Sequence, residues 1–120
     1  MTRTEIINKL IKDNNYHSYL EIGMDNPFVN FTKIQAQNKV SVDPFQISTK
    51  HCTHWDNNNI DEFLKYLTHR LTSDDFFSIN NDKFDIIFID GLHLEHQVDK
   101  DIFNSLKFFG TVLKQLQRLC

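Results

Sequence analysis

Two rhythms of apolar and polar positions alternate along this chain. Ile6, Ile7, Leu10 and Ile11 share one face at helical spacing, behind a Thr2 and Glu5 pair suited to a capping box. They predict a first helix that fades at "DNN", residues 13–15. "SYLEIG", residues 18–23, reads as a short strand stopped by Gly23, and "KVSVDP", residues 39–44, as a strand closed by Pro44. Between them, the spacing of Phe28, Phe31 and Ile34 predicts a short helix over residues 28–36.

The run "FQISTKHCTHWDNNN" is polar, aperiodic and Asn-rich, and reads as a long loop of the kind that is often functional or disordered. Ile60, Phe63, Leu64 and Leu67 then return to helical spacing behind an Asn59 and Glu62 pair suited to a cap. A brief strand is predicted near Thr68 to Leu71. It leads into "TSDDFF", where Ser73 and two aspartates suit a helix start because they offer oxygens and negative charge to unpaired N–H groups. "FDIIFID", residues 84–90, is the strongest strand. Leu94, Val98, Ile102, Leu106 and Phe109 predict a helix over residues 95–108, and residues 110–113 begin a last strand.

Helices alternating with strands signal an α/β sheet built from right-handed crossovers. Four consecutive apolar residues in "IIFI" predict a strand covered on both faces, as parallel strands are. At 120 residues, the chain fits one small domain. The net charge of −3 has its signs interspersed and no Lys/Arg stripe, so a nucleic-acid partner is not expected. No apolar run approaches a membrane span, and the first residues lack the pattern of a signal peptide, which makes a cytoplasmic protein with no membrane partner the expectation. Cys52 and Cys120 form no disulfide framework and read as incidental.

In open α/β sheets, ligands bind outside the carboxyl ends of the strands, near the point where strand order reverses. The candidate residues are therefore Gly23, Asp43, Ser73 with Asp74, and Asp90-Gly91 with His93. Gly23 and Asp43 lie 20 positions apart, the spacing at which a nucleotide-binding crossover sets an acid against ribose hydroxyls. "GMDNP" lacks the second and third glycines of a dinucleotide fingerprint, so a ligand with ribose but no phosphate fits better and a nicotinamide-dependent oxidoreductase is disfavoured. Asp90 has two readings, a cap for the following helix or a ligand-site carboxylate. His93 with His96, and His51 with His54 around Cys52, lack the further ligands of a zinc site and read as solvated side chains. Glu21, inside an otherwise apolar strand, needs a polar partner or a ligand, while Phe76, Phe77 and Phe88 read as core.

"YLEIG" at 19–23, "VSVDP" at 40–44, "TSDDFF" at 72–77 and "FDIIFIDGLHLEHQVDKDIFNSLK" at 84–107 resemble class I S-adenosylmethionine-dependent methyltransferases. The branch is that of small-molecule O-methyltransferases akin to macrocin O-methyltransferase, which shares its cofactor domain with cephalosporin-hydroxylase-like proteins. The resemblance implies a Rossmann-like three-layer αβα sandwich with a mostly parallel sheet, its strands in the spatial order third, second, first, fourth, fifth. It implies S-adenosylmethionine as cofactor, bound by Glu21 and Gly23 at the first motif, by Asp43 at the ribose, and by Ser73 and Asp74 near the adenine. It implies methyl transfer to a hydroxyl of a small-molecule substrate. Asp90 would be the catalytic carboxylate and, as in metal-dependent relatives, a ligand for Mg2+, with His93 as base or substrate contact.

The family continues beyond a fifth strand, so residues 1–120 correspond to the N-terminal half of the usual fold, incomplete at its C-terminal side. From this follow two further expectations. One is the alternative of a truncated, catalytically inactive domain that binds the cofactor or a partner. The other is self-association through "FDIIFID", left as an exposed sheet edge or covered by only a short fifth strand.

Overall fold

Strand β3 (Ile86–Ile89) is buried at all four positions, as its unbroken apolar run requires. It pairs in parallel with β1 (Ser18–Ile22) on one side and with β4 (Thr111–Lys114) on the other. Strand β2 (Asn38–Val42) pairs in parallel with the far side of β1, so the sheet runs β2-β1-β3-β4. These features come from a computed structural model that describes residues 1–24, 26–44, 60–90, 95–108 and 111–114. The long-loop expectation, Gly91 and His93 lie outside the described residues.

Period-2 alternation in β1 and β3 sorts the core into two layers. Tyr19, Ile86 and Phe88 join Ile7 and Ile11 of helix α1 (Arg3–Asn14), together with Phe31 and Ile34. Leu20, Ile22, Ile87 and Ile89 face the other way, onto Phe76 and Phe77 of helix α3 (Ser73–Ile79) and the partly buried Ile102 of helix α4 (Glu95–Leu106). The sheet is therefore covered on both faces, and the chain is an α/β domain. Among the described residues no helix is long and apolar enough to cross a membrane.

Local chemistry sets the element ends. Thr2 caps α1, accepting from the Glu5 N–H at 3.1 Å while its hydroxyl donates to the Glu5 carboxylate, and Asn15 ends the helix in the left-handed region at φ 56°. Thr72, one residue before the expected Ser73, caps α3 by accepting from the Asp75 N–H. The helix expected over residues 28–36 is only a 3₁₀ turn, Phe31–Lys33. Asn26 holds the preceding segment in a side-chain turn by accepting from the Phe28 N–H at 3.0 Å, and the Asn30 side chain is engaged inside the core. Helix α2 (Ile60–Leu64) stops short of Leu67.

The brief strand expected near residues 68–71 is reduced to one parallel bridge, Val42 to His69. Ser41 explains the reduction: its hydroxyl donates to the Tyr66 carbonyl at 2.6 Å and accepts from the Thr68 N–H at 2.9 Å, so side-chain bonds stand where ladder bonds would continue. The exposed-edge expectation for "FDIIFID" resolves to its second form, because β4 pairs with β3 over four residues and the edge on that side belongs to β4.

Ile87 is fully buried at the centre of the sheet. Ile87→Ala should destabilise the domain by about 2–5 kcal/mol through lost burial and the cavity left behind. Urea unfolding measures this, and a loss under about 1 kcal/mol would show that β3 is not the centre of the core.

Candidate functional site

The strand order reverses between β1 and β3. From β1 the chain moves outward through β2 to His69, then returns across the sheet to β3 and moves outward the other way to β4. The carboxyl ends of β1 and β3 are adjacent at this reversal, since the Asp90 N–H donates to the Ile22 carbonyl at 2.7 Å. Next to them, the Gly23 N–H donates to the Val42 carbonyl at 2.7 Å and the Asp43 N–H to the His69 carbonyl at 3.1 Å. Gly23, Asp43 and Asp90 thus stand at the ends of three neighbouring strands.

Gly23 sits at φ 86°, where a Cβ would be strained, and the chain turns there with its backbone open to close approach. A ligand part that lies against this turn would meet no side chain from residue 23. Asp43 is partly exposed at the end of β2.

Next to these strand ends lies a polar network centred on Glu21, which is 2% exposed. Tyr19 donates its hydroxyl to Glu21 Oε1 at 2.5 Å, and Asn30 Nδ2 donates to the same oxygen at 2.8 Å. Asn30 also reaches the Tyr19 hydroxyl at 3.2 Å and accepts from Thr4 Oγ1 of α1 at 2.7 Å. Burial pushes the Glu21 carboxyl up to about 7 against the opposing effect of the Tyr19 and Asn30 hydrogen bonds; the Asp90 charge adds to the rise and Arg3 opposes it. Burial likewise drives the Tyr19 hydroxyl well above its ordinary value, with the Glu21 charge adding to the rise.

Asp90 is buried at 7% exposure and its Oδ2 accepts from Arg3 at 3.2 Å. The Arg3 guanidinium also lies 5.8 Å from the centre of the Phe88 ring, so the first turn of α1 closes over the end of β3. No group of three His, Cys, Asp or Glu side chains able to hold a metal occurs among the described residues.

Ser73 and Asp74 have their hydrogen-bond partners on α4. Ser73 donates to Asp101 of α4 at 2.6 Å, and Gln97 donates to both Ser73 and Asp101. Asp74 accepts from Lys100 at 2.9 Å, which holds its carboxyl below the ordinary range, and from Gln97. Among the described residues this network ties α3 to α4 and does not reach the strand ends. Tyr19 could have been found from the sequence, because residues two apart on a strand share a face. Arg3, Thr4 and Asn30 carry no such signal, since they come to Glu21 and Asp90 only through the fold.

Compared with known proteins, the chain matches no family model, and no curated protein matches it.

The Glu21 carboxyl makes stability depend on pH. Its folded value, about 7, lies above the ordinary 4.5, so the folded state holds this proton more tightly than the unfolded one. The stabilisation is complete below about pH 4.5 and is lost as pH rises through about 7, a total of roughly 3 kcal/mol. Glu21→Gln keeps a carbonyl for Tyr19 and Asn30 but cannot ionise, so urea unfolding of this variant at pH 5 and pH 8 should lack that loss. Equal pH dependence in the two proteins would remove Glu21 as its source.

Proposed function

We propose that this chain forms a Rossmann-like, class I methyltransferase-type domain that binds S-adenosylmethionine at the carboxyl ends of β1 and β2. The observation that carries the reading is the reversal of strand order between β1 and β3, with Gly23 at φ 86° on one strand end and Asp43 on the next. This is the position at which open α/β sheets take nucleoside ligands. Methyl transfer to a hydroxyl of a small molecule is the reaction proposed for it. The bound cofactor supplies an activated methyl group.

The chain's own residues contribute binding and orientation. Asp43 accepts from the ribose hydroxyls, and the Gly23 turn lets the backbone lie against the rest of the cofactor. The hydrogen bonds of Glu21 with Tyr19 and Asn30 hold the end of β1 in place beside the cofactor. Asp90, at the end of β3, is the carboxylate assigned to the acceptor side in this reading. Its ion pair with Arg3 supports a second reading, a domain that binds the cofactor without turnover, because a carboxylate engaged by a guanidinium is a poor base for a hydroxyl.

Calorimetry with S-adenosylmethionine, S-adenosylhomocysteine and NAD tests the shared core of both readings. Binding of the first two, and not of NAD, is expected. Asp43→Ala, which removes a charged acceptor worth about 1.5–3 kcal/mol, should weaken that binding roughly ten- to hundredfold. Unchanged affinity in a folded variant would withdraw the ribose role from Asp43, and preference for NAD would withdraw the cofactor assignment.

A further inference from the structure

Helix α4 turns Asp101 and Ser105 inward, and both are buried. Its opposite stripe is apolar at the centre and charged at the ends. Phe103 is 65% exposed and Leu106 59%, while Asp99 and Lys107 stand exposed one turn before and one turn after Phe103. A shallow hollow of about 370 Å³ lies beside this stripe, lined by Asp99, Lys100, Phe103 and Asn104. A 12-residue helix with a large aromatic ring exposed at its middle is not explained by the core, which it already serves with its other face.

The geometry points to α4 as a homodimer interface, two copies of the helix packing antiparallel about a twofold axis at Phe103. Asp99 and Phe103 on α4 and Lys107, in the turn one residue past its end, are spaced four apart, and i±4 rows lie alongside each other in the commonest class of helix crossing. A twofold axis at Phe103 turns the row end for end. Asp99 then faces Lys107 of the other copy, and Lys107 faces its Asp99, so one row supplies two opposite-charge pairs. The aromatic ring of each copy meets the hollow of the other, with the Lys100 stem and Leu106 around it. Such self-complementarity is what an isologous contact requires. Lys107 already lies 4.9 Å from the centre of its own Phe103 ring, so the cation stands beside the ring that the second copy covers. A helix of this length spans about 18 Å, which puts the contact at the small end of stable interfaces.

Sedimentation equilibrium of the full chain over roughly 1–200 μM, at low and high salt, tests this. A monomer–dimer equilibrium weakened by salt is expected. Phe103→Glu, on an exposed face, should leave the far-UV circular dichroism unchanged and the protein monomeric. Asp99→Lys and Lys107→Asp should each weaken the dimer about fivefold or more, and the double swap should restore it, which a folding defect would not do. A wild-type monomer at every concentration, as when another partner or segment covers this face, overturns the proposal. So does a dimer indifferent to these substitutions, as pairing through the β4 edge would be.

Discussion

A carboxylate in the second-to-last position of a central parallel strand is the constraint around which this domain is arranged. Leaving Glu21 buried without partners would cost several kcal/mol, and the two hydrogen bonds to Oε1 offset part of that. Each partner is itself anchored. Tyr19 is locked on the same face of the same strand, and Asn30 must sit where its amide spans Glu21, Tyr19 and Thr4. The segment between β1 and β2 is therefore shaped by Asn30 reaching inward, and the start of α1 by Thr4 reaching Asn30. One charged residue thus links helix, strand and crossover on a single face of the sheet.

The other face depends on a different network with similar logic. Asp101, buried on α4, is pushed upward by burial and held by Ser73 and Gln97. Lys100 binds Asp74 at the rim of the same contact, largely exposed and so worth little in stability. The inner bonds fix the position of α3 against α4, and the stacked Phe77 and Phe108 rings close the apolar part of the interface. The α1 side of the sheet thus carries two buried acids, Glu21 and Asp90, and the α3–α4 side carries Asp101, with the apolar strands between them.

Much of this fold is legible in the sequence because its signals are local. The capping pair Thr2 and Glu5, the four-residue apolar run of β3 and the strand end at Gly23 each follow from neighbours in the chain. The misses have a common physical origin in side chains that bond across distance. Phe28, Phe31 and Ile34 have helical spacing, yet Asn30 between them is drawn to Glu21 and the segment stays a 3₁₀ turn. Residues 68–71 read as a strand, yet Ser41 takes the bonds of Thr68 with its hydroxyl and leaves a single bridge. Ser73 and Asp74 read as a helix start, as they are, but their bonds to Asp101, Gln97 and Lys100 follow only from the position of α4. For Glu21 the sequence states the need for a partner but does not name Asn30.

The placement of Arg3 ties the strand ends to the first turn of the chain's first helix. Its guanidinium bonds Asp90, lies on Phe88 and lowers the charge cost of Glu21, so three features of the strand-end region respond to one side chain. Thr4, the next residue, binds Asn30, whose amide reaches Glu21 from the other side. The first turn of α1 is therefore clamped to the sheet by two adjacent residues, one ionic and one neutral. Any ligand that draws on Asp90 has to compete with Arg3. Because Thr4 and Arg3 are neighbours on the helix, displacement of one strains the bond made by the other, and that bond holds the buried acid beside the same strand ends.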